Sequence, residues 1–395
     1  MLPSAVKTRG PSDTASAVFV ALDRQGWLRL DEAACLPLRS HFGQCRLCQS
    51  VCPAGVIEVS VERVSVREGC TRCGRCAAAC PVAAIHLDGF EIETLPAGDQ
   101  PVELECAKVP QAERAPGAIV VPCLGGISAG RLAQLNEGAA GRPVRIVDRG
   151  WCAHCNAGRG SERPAQRAVE TVRLWLSEIG DEATRAPEIV ERPLPLERMP
   201  AEIPEPEKRE AAAPMSRRQF FRSLAESPLG LRPTPMGSDG RCAFPAASRR
   251  PSPERERLLA ALSAAAARAG SALPAELYPR VHNNGACADH RVCTAACPTG
   301  ALKVTEADGA SALAFSAAAC IACGACTRAC PEGALALEPY GGGPERVTVA
   351  SHRRQPCANC GEEFSPRAGE TLCATCKKSQ RFISDAMSKL FGARR

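Results

Sequence analysis

Large aromatic side chains are scarce: Phe, Trp and Tyr make up only 4% of the 395 residues. Aromatics normally supply much of the area buried in a core, so something else must organise parts of this chain. Long apolar runs are missing as well. No stretch approaches the roughly eighteen apolar residues of a membrane span, and Met1 to Val20 contains no continuous apolar core of the kind an export signal needs. The chain also lacks a phosphate-binding glycine loop, a dinucleotide fingerprint and a convincing nucleophile–base set, which argues against catalysis by the chain alone. Its net charge of +6 is modest for the length and weak evidence for a nucleic-acid partner.

Cysteine is what the chain has in excess. There are 24, in tight groups. Disulfide-dense scaffolds are usually small and secreted, whereas thiols spaced two and three residues apart in a reducing compartment are more often metal ligands. A cytoplasmic protein is therefore expected. Four copies of one pattern stand out: Cys52-Pro-Ala-Gly-Val-Ile, Cys80-Pro-Val-Ala-Ala-Ile, Cys297-Pro-Thr-Gly-Ala-Leu and Cys330-Pro-Glu-Gly-Ala-Leu. They fall in two pairs, a duplication of motifs within a module and of modules within the chain.

Cys70-x2-Cys73-x2-Cys76-x3-Cys80-Pro81 and Cys320-x2-Cys323-x2-Cys326-x3-Cys330-Pro331 are full ferredoxin runs. Both resemble the two-cluster bacterial ferredoxin family. That resemblance implies that three thiolates wrap one [4Fe–4S] cubane while the fourth crosses to its neighbour. One cluster would then take Cys70, Cys73, Cys76 and Cys52, and its counterpart Cys320, Cys323, Cys326 and Cys297. The partner motifs are irregular. In the first module Phe42 stands where a leading cysteine is expected, and the set proposed is Cys35, Cys45, Cys48 and Cys80. In the second module Cys287, Cys293 and Cys330 are in place, but the second position is His290. The fourth ligand there is His290, Cys242 or none; a three-iron cluster or a solvent-facing His290 are the remaining readings.

Between the modules, Ala118–Pro122 and Val144–Val147 read as strands and Leu132–Leu135 as part of a helix. Ala165, Val169, Val172, Leu176 and Ile179 recur at helical spacing. This small α/β unit holds Cys106, Cys123, Cys152 and Cys155. The last three follow strands whose ends would converge at one edge of a parallel sheet. The layout loosely resembles the small iron–sulfur subunit of some hydrogenases, which implies a further cluster; zinc and a redox-active Cys152–Cys155 pair are alternatives. Near the C-terminus, Cys357-x2-Cys360-x12-Cys373-x2-Cys376 reads as a structural zinc ribbon, with Gly361 in its knuckle.

The expected architecture is an α+β multidomain chain. Residues 1–95 form a first dicluster module, 96–184 the small α/β domain and 185–214 a Pro/Glu-rich linker. Residues 215–285 hold a Ser-Arg-Arg segment and a helix over Glu254–Ala269 stopped by Gly270. A second dicluster module follows at 286–345, joined through a flexible Gly341–Gly343, then the ribbon at 346–380 and a helical tail at 381–395. Ser216-Arg217-Arg218-Gln219-Phe220-Phe221-Arg222 looks like a twin-arginine export motif without the apolar stretch that export needs. Residues 215–340 are similar in layout to NapF-type accessory ferredoxins of periplasmic nitrate reductase, which implies a cytoplasmic accessory or maturation role for a molybdenum-dependent oxidoreductase. The leading expectation is single-electron transfer between redox enzymes of the molybdenum oxidoreductase, formate dehydrogenase or hydrogenase class.

Overall fold

A computed structural model describes residues 19–92, 94–158, 163–181, 186–201, 249–307, 309–366 and 369–391. The Ser216–Arg222 motif and Cys242 lie outside these residues.

The first module is built from very short elements. Strands β1 (Phe19–Ala21), β2 (Leu28–Asp31) and β5 (Ile85–Leu87) form an antiparallel sheet in the order β1-β2-β5, and β3 (Ile57–Val59) pairs with β4 (Val64–Val66). Alternation decides which way they face: Ile57, Val59, Ile85 and Leu87 are buried while Glu58 and His86 are exposed. Three single-turn helices, α1 (Leu36–Arg39), α2 (Leu47–Ser50) and α3 (Arg75–Ala78), carry or precede the cysteines. Cys35, Cys48, Cys52, Cys70, Cys76 and Cys80 pack in the same small core as Leu28, Leu30 and Ile85.

The middle domain is a four-stranded parallel sheet in the order β7-β6-β8-β9, made of β6 (Val102–Cys106), β7 (Ile119–Val121), β8 (Val144–Asp148) and β9 (Glu188–Glu191). Helices α4 (Ala129–Gly138) and α5 (Gln166–Ile179) cover it. On α5, Val169, Val172, Leu176 and Ile179 are buried as their spacing predicts, whereas Ala165 precedes the helix in a left-handed conformation. Strand β9 corrects the linker expectation for 185–214. Its glutamates read as linker composition, but Glu188 is paired with Arg145 at 2.7 Å, and the following Arg192 reaches Glu103 at 2.6 Å.

Helix α6 (Pro253–Ala269) is capped by Ser252, whose Oγ accepts from Arg255 N, and stops at Gly270 with φ +66°. Its Ala261, Leu262, Ala265 and Ala266 face shares one core with α4, α5 and the second module. The Glu254 carboxylate accepts from Gly130 N at 2.6 Å and Ser128 Oγ at 2.7 Å, at the N-terminus of α4 where the helix dipole favours a negative charge. The helix thus belongs to the middle domain's layer as much as to the second module.

The second module contains the antiparallel pair β10 (Arg280–Asn283) and β13 (Leu335–Glu338), and the sheet β11-β12-β14. Those three strands are Leu302–Ala307, Ala310–Ser316 and Arg346–Arg353, with α7 (Val292–Ala296) and α8 (Ala325–Ala329) holding cysteines. Strand β14 pairs with β12 along its length, so the expected boundary at 345/346 moves to about Gln355. Within Gly341–Gly343 the middle residue is held, so the segment is not a loose joint throughout: Gly342 N donates to Tyr278 O at 2.8 Å, and a Cβ on Gly342 would lie 2.4 Å from Pro279 O. Beyond it, β15 (Gln355–Pro356) and β16 (Glu363–Phe364) frame the Cys357–Cys360 turn, and α9 (Ala374–Phe391) begins between Cys373 and Cys376. The helical tail therefore starts earlier than 381.

One ion pair anchors the middle sheet. Glu105, fully buried on β6, accepts from Arg149 at 2.7 and 3.2 Å and from Ala115 N at 3.0 Å. Removing one partner leaves the other charge buried and unpaired. Glu105→Ala is expected to cost about 3–5 kcal/mol, measured as a lowered denaturant midpoint; a loss below about 1 kcal/mol would mean the pair behaves as an exposed one.

Candidate metal centres

Ligand loops need backbone shapes that ordinary residues avoid. In the loop of Cys70, Cys73 and Cys76, Arg72 (φ +53°) and Gly74 (φ +73°) are left-handed, and in the loop of Cys320, Cys323 and Cys326 so are Ala322 (φ +52°) and Gly324 (φ +68°). Each loop then enters a short helix, α3 or α8, that carries its third cysteine. Cys80 and Cys330, the cysteines expected to cross between sets, share a second device. Ala84 N donates to Cys80 Sγ at 3.2 Å, and Ala334 N donates to Cys330 Sγ at 3.3 Å, the same step of four residues in both modules. Such N–H donors favour thiolate over thiol and raise the potential of a bound cluster.

Burial dominates the electrostatics, and neighbouring sulfurs add to it. The Cys70 thiol is pushed up by burial and by the nearby Cys73 and Cys52. Burial also drives up Cys76, helped by Cys73, Cys70 and, from the other set of the same module, Cys48. Cys35 is raised to about 12 by burial and by Cys80, Cys48 and Cys45. The structure therefore brings Cys35 beside the other three despite its distance in sequence. The return of that loop depends on Gly43, where a Cβ would sit 2.0 Å from Leu36 O. In the second module, burial lifts Cys320 to about 11 and Cys326 to about 12, with Cys297 and Cys323 among the contributing neighbours of both. Burial, Cys287 and Cys330 raise Cys293 to about 11. His290 lies at the surface with Nε2 3.0 Å from Glu332 Oε1.

The middle-domain thiols also converge. Cys106 ends β6, Cys123 follows β7, and Cys152 and Cys155 follow β8, all at the carboxyl edge of the parallel sheet. Burial raises Cys123, followed by the charges of Cys106 and Cys73; Cys152 is lifted to about 12 by burial, Asp148, Cys106 and Cys155. Gly158 lets this loop fold tightly, since a Cβ there would meet Cys152 O at 1.9 Å. Cysteine spacing gave no hint of what lies next to this group. Cys73 of the first module is buried together with Cys123 and Ala157, and Gly126 packs so closely on that loop that a Cβ would lie 2.5 Å from Cys73 O.

The C-terminal set is tighter. The sulfurs of Cys357, Cys360, Cys373 and Cys376 lie within 4.8 Å of one another, with Cys360 and Cys373 at 3.8 Å. A metal–sulfur bond of about 2.3 Å gives a tetrahedral edge of about 3.8 Å, so this set suits one four-coordinate ion. A cubane spreads its four thiolates more widely.

Comparison with known families agrees with these loops. Residues 65–86, containing Cys70, Cys73, Cys76 and Cys80, match the 4Fe-4S binding domain; residues 284–335, containing the seven cysteines from Cys287 to Cys330, match the 4Fe-4S dicluster domain. No curated protein matches the chain. The chain thus carries two ferredoxin-type 4Fe-4S domains, which support an iron–sulfur electron-transfer role with a redox partner. Among the described residues no helix is long and apolar enough to cross a membrane.

The ribbon makes a pH prediction. The Cys373 N–H, 3.2 Å from Cys357 Sγ, draws the Cys357 thiol down from 9.0 to about 6. Its thiolate is present above that value and is lost as pH falls through it, whereas Cys360, sharing hydrogen bonds with the other thiols of the set, is raised to about 12, so metal must displace protons even at neutral pH and the competition grows as pH falls. Full-length protein loaded with Co(II) at this site is expected to keep its sulfur-to-cobalt absorption at pH 8 and lose it progressively as the pH falls toward about 4. Retention unchanged to about pH 4 would contradict this assignment of the thiolate.

Proposed function

We propose that the chain is a multicentre iron–sulfur electron carrier. The observation that supports this best is that the thiol groups of all three domains lie beside one another or beside the contacts that join the modules. The middle-domain group abuts Cys73. Within the first module Cys76 feels Cys48. At the junction of the modules, Arg328 donates from Nε to Phe42 O at 2.9 Å and from Nη2 to Cys323 O at 2.7 Å. Ser252 donates to Pro81 O, next to Cys80, and Arg250 pairs with Asp31. Within the second module Cys326 feels Cys293.

On this reading Cys52, Cys70, Cys73 and Cys76 hold one [4Fe–4S] cluster, and Cys35, Cys45, Cys48 and Cys80 its neighbour. Cys297, Cys320, Cys323 and Cys326 hold a third, and Cys287, Cys293 and Cys330 contribute to a fourth. Cys106, Cys123, Cys152 and Cys155 would take a further cluster, and Cys357, Cys360, Cys373 and Cys376 a structural Zn2+. When bound, such clusters accept and release single electrons with little rearrangement. The protein's part is to exclude water, aim N–H groups at sulfur and hold neighbouring sites close. A redox enzyme of the molybdenum oxidoreductase, formate dehydrogenase or hydrogenase class is the proposed partner, in the cytoplasm.

Anaerobic purification with iron, sulfide and zinc analysis tests the reading. The expected content is about sixteen iron atoms for four cubanes, about twenty with the middle site filled, and about one zinc. Colourless protein without acid-labile sulfide would overturn it.

A further inference from the structure

The loop from Cys287 to Cys293 lacks a second cysteine, yet it keeps the backbone of a complete ligand loop. Asp289 (φ +54°) occupies the place of Arg72 and Ala322, and Arg291 (φ +62°) the place of Gly74 and Gly324. Like them, Arg291 leads directly into a short helix, α7, that carries the third cysteine. Residue 290 therefore stands on the same backbone frame as Cys73 and Cys323.

Two non-glycine residues in left-handed conformation cost free energy and persist only where their surroundings hold them. Here a polar network does so. Arg291 clasps Asp289 at 3.2 and 3.3 Å, Asp289 also accepts from Ser311 Oγ at 3.2 Å and Ser365 Oγ at 2.6 Å, and Arg291 reaches Glu306 at 2.6 Å. The loop is braced from β12 and from the ribbon region at once.

The imidazole itself is oriented. His290 Nε2 lies 3.0 Å from Glu332 Oε1, and Glu332 follows Cys330 by two residues. A carboxylate can only accept, so Nε2 carries the proton and a neutral ring leaves its lone pair on Nδ1. This is the usual arrangement of a metal-binding histidine, whose second nitrogen donates to a carboxylate that fixes tautomer and ring orientation.

We infer that His290 is the fourth ligand, through Nδ1, of the cluster held by Cys287, Cys293 and Cys330, with Glu332 as the residue that positions its ring. The inference rests on the electron-carrier reading and adds a chemical asymmetry to it. Replacing a thiolate by a neutral imidazole removes one negative charge from the site and raises its potential relative to all-cysteine neighbours.

The test is pulsed EPR with iron analysis on anaerobically purified full-length protein, comparing wild type with His290→Ala, His290→Cys and Glu332→Gln. Wild type is expected to show nitrogen hyperfine coupling at one reduced cluster, and His290→Ala to lose that coupling. His290→Ala should also lose about one iron per chain, with the signal of an oxidised three-iron cluster appearing. His290→Cys should keep its iron, lose the nitrogen coupling and show a lowered potential at that site. Glu332→Gln should keep the coupling with an altered magnitude. Absence of nitrogen coupling in wild type, which needs no variant to fold, overturns the assignment, as does His290→Ala with unchanged iron and spectra. Those results leave the electron-carrier reading intact; only absence of iron and sulfide altogether would remove both.

Discussion

Thiolates crowded together away from water are the constraint on which this structure depends. Burial, with the charges of neighbouring groups added to it, pushes Cys35, Cys48, Cys152, Cys293, Cys320 and Cys326 to about 11 or 12, so at neutral pH each prefers to keep its proton. Holding four such sulfurs as anions in one place requires a centre of high positive charge, and metal binding then becomes folding free energy. That would account for a chain with few aromatics: its small cores would be closed by sulfur and metal, and helices of a single turn would suffice because they carry the candidate ligands. The crossing of Cys80 and Cys330 into neighbouring sets would tie the halves of each module together.

The same constraint bears on how the domains meet. Single-electron exchange calls for short separations, and the contacts between units fall beside the cysteine loops. Gly126 leans on the carbonyl of Cys73, Ser252 reaches the residue after Cys80, and Arg328 joins the carbonyls of Phe42 and Cys323. Gly43, Gly126 and Gly158 mark places where backbone passes within a Cβ's reach of other backbone, each beside a thiol group. The small middle domain does not stand apart, since α6 and the core it shares lock it to the second module.

Much of the local structure was legible. The strands read at Ala118–Pro122 and Val144–Val147, the α5 stripe and the Gly270 stop all have short-range causes, and the structure contains the corresponding elements. Strands β6 and β9 were hidden because their glutamates look solvated; they are satisfied by Arg149, Arg192 and Arg145, which arrive from far along the chain or from a neighbouring strand. Cysteine spacing was enough to nominate the ligand sets and the edge where the middle thiols meet. It could not reveal that the middle group lies against Cys73, nor that residues 289 and 291 keep a ligand loop's shape, because both depend on packing between segments without shared local pattern.

Magnetic coupling between the two modules tests the central claim most directly. In fully reduced full-length protein, EPR of the clusters should show spin–spin broadening that links the Cys35/Cys45/Cys48/Cys80 site to the Cys297/Cys320/Cys323/Cys326 site, and the broadening should fall when Arg328 is replaced by glutamate. Spectra equal to the sum of two magnetically isolated modules would contradict a continuous path through the chain.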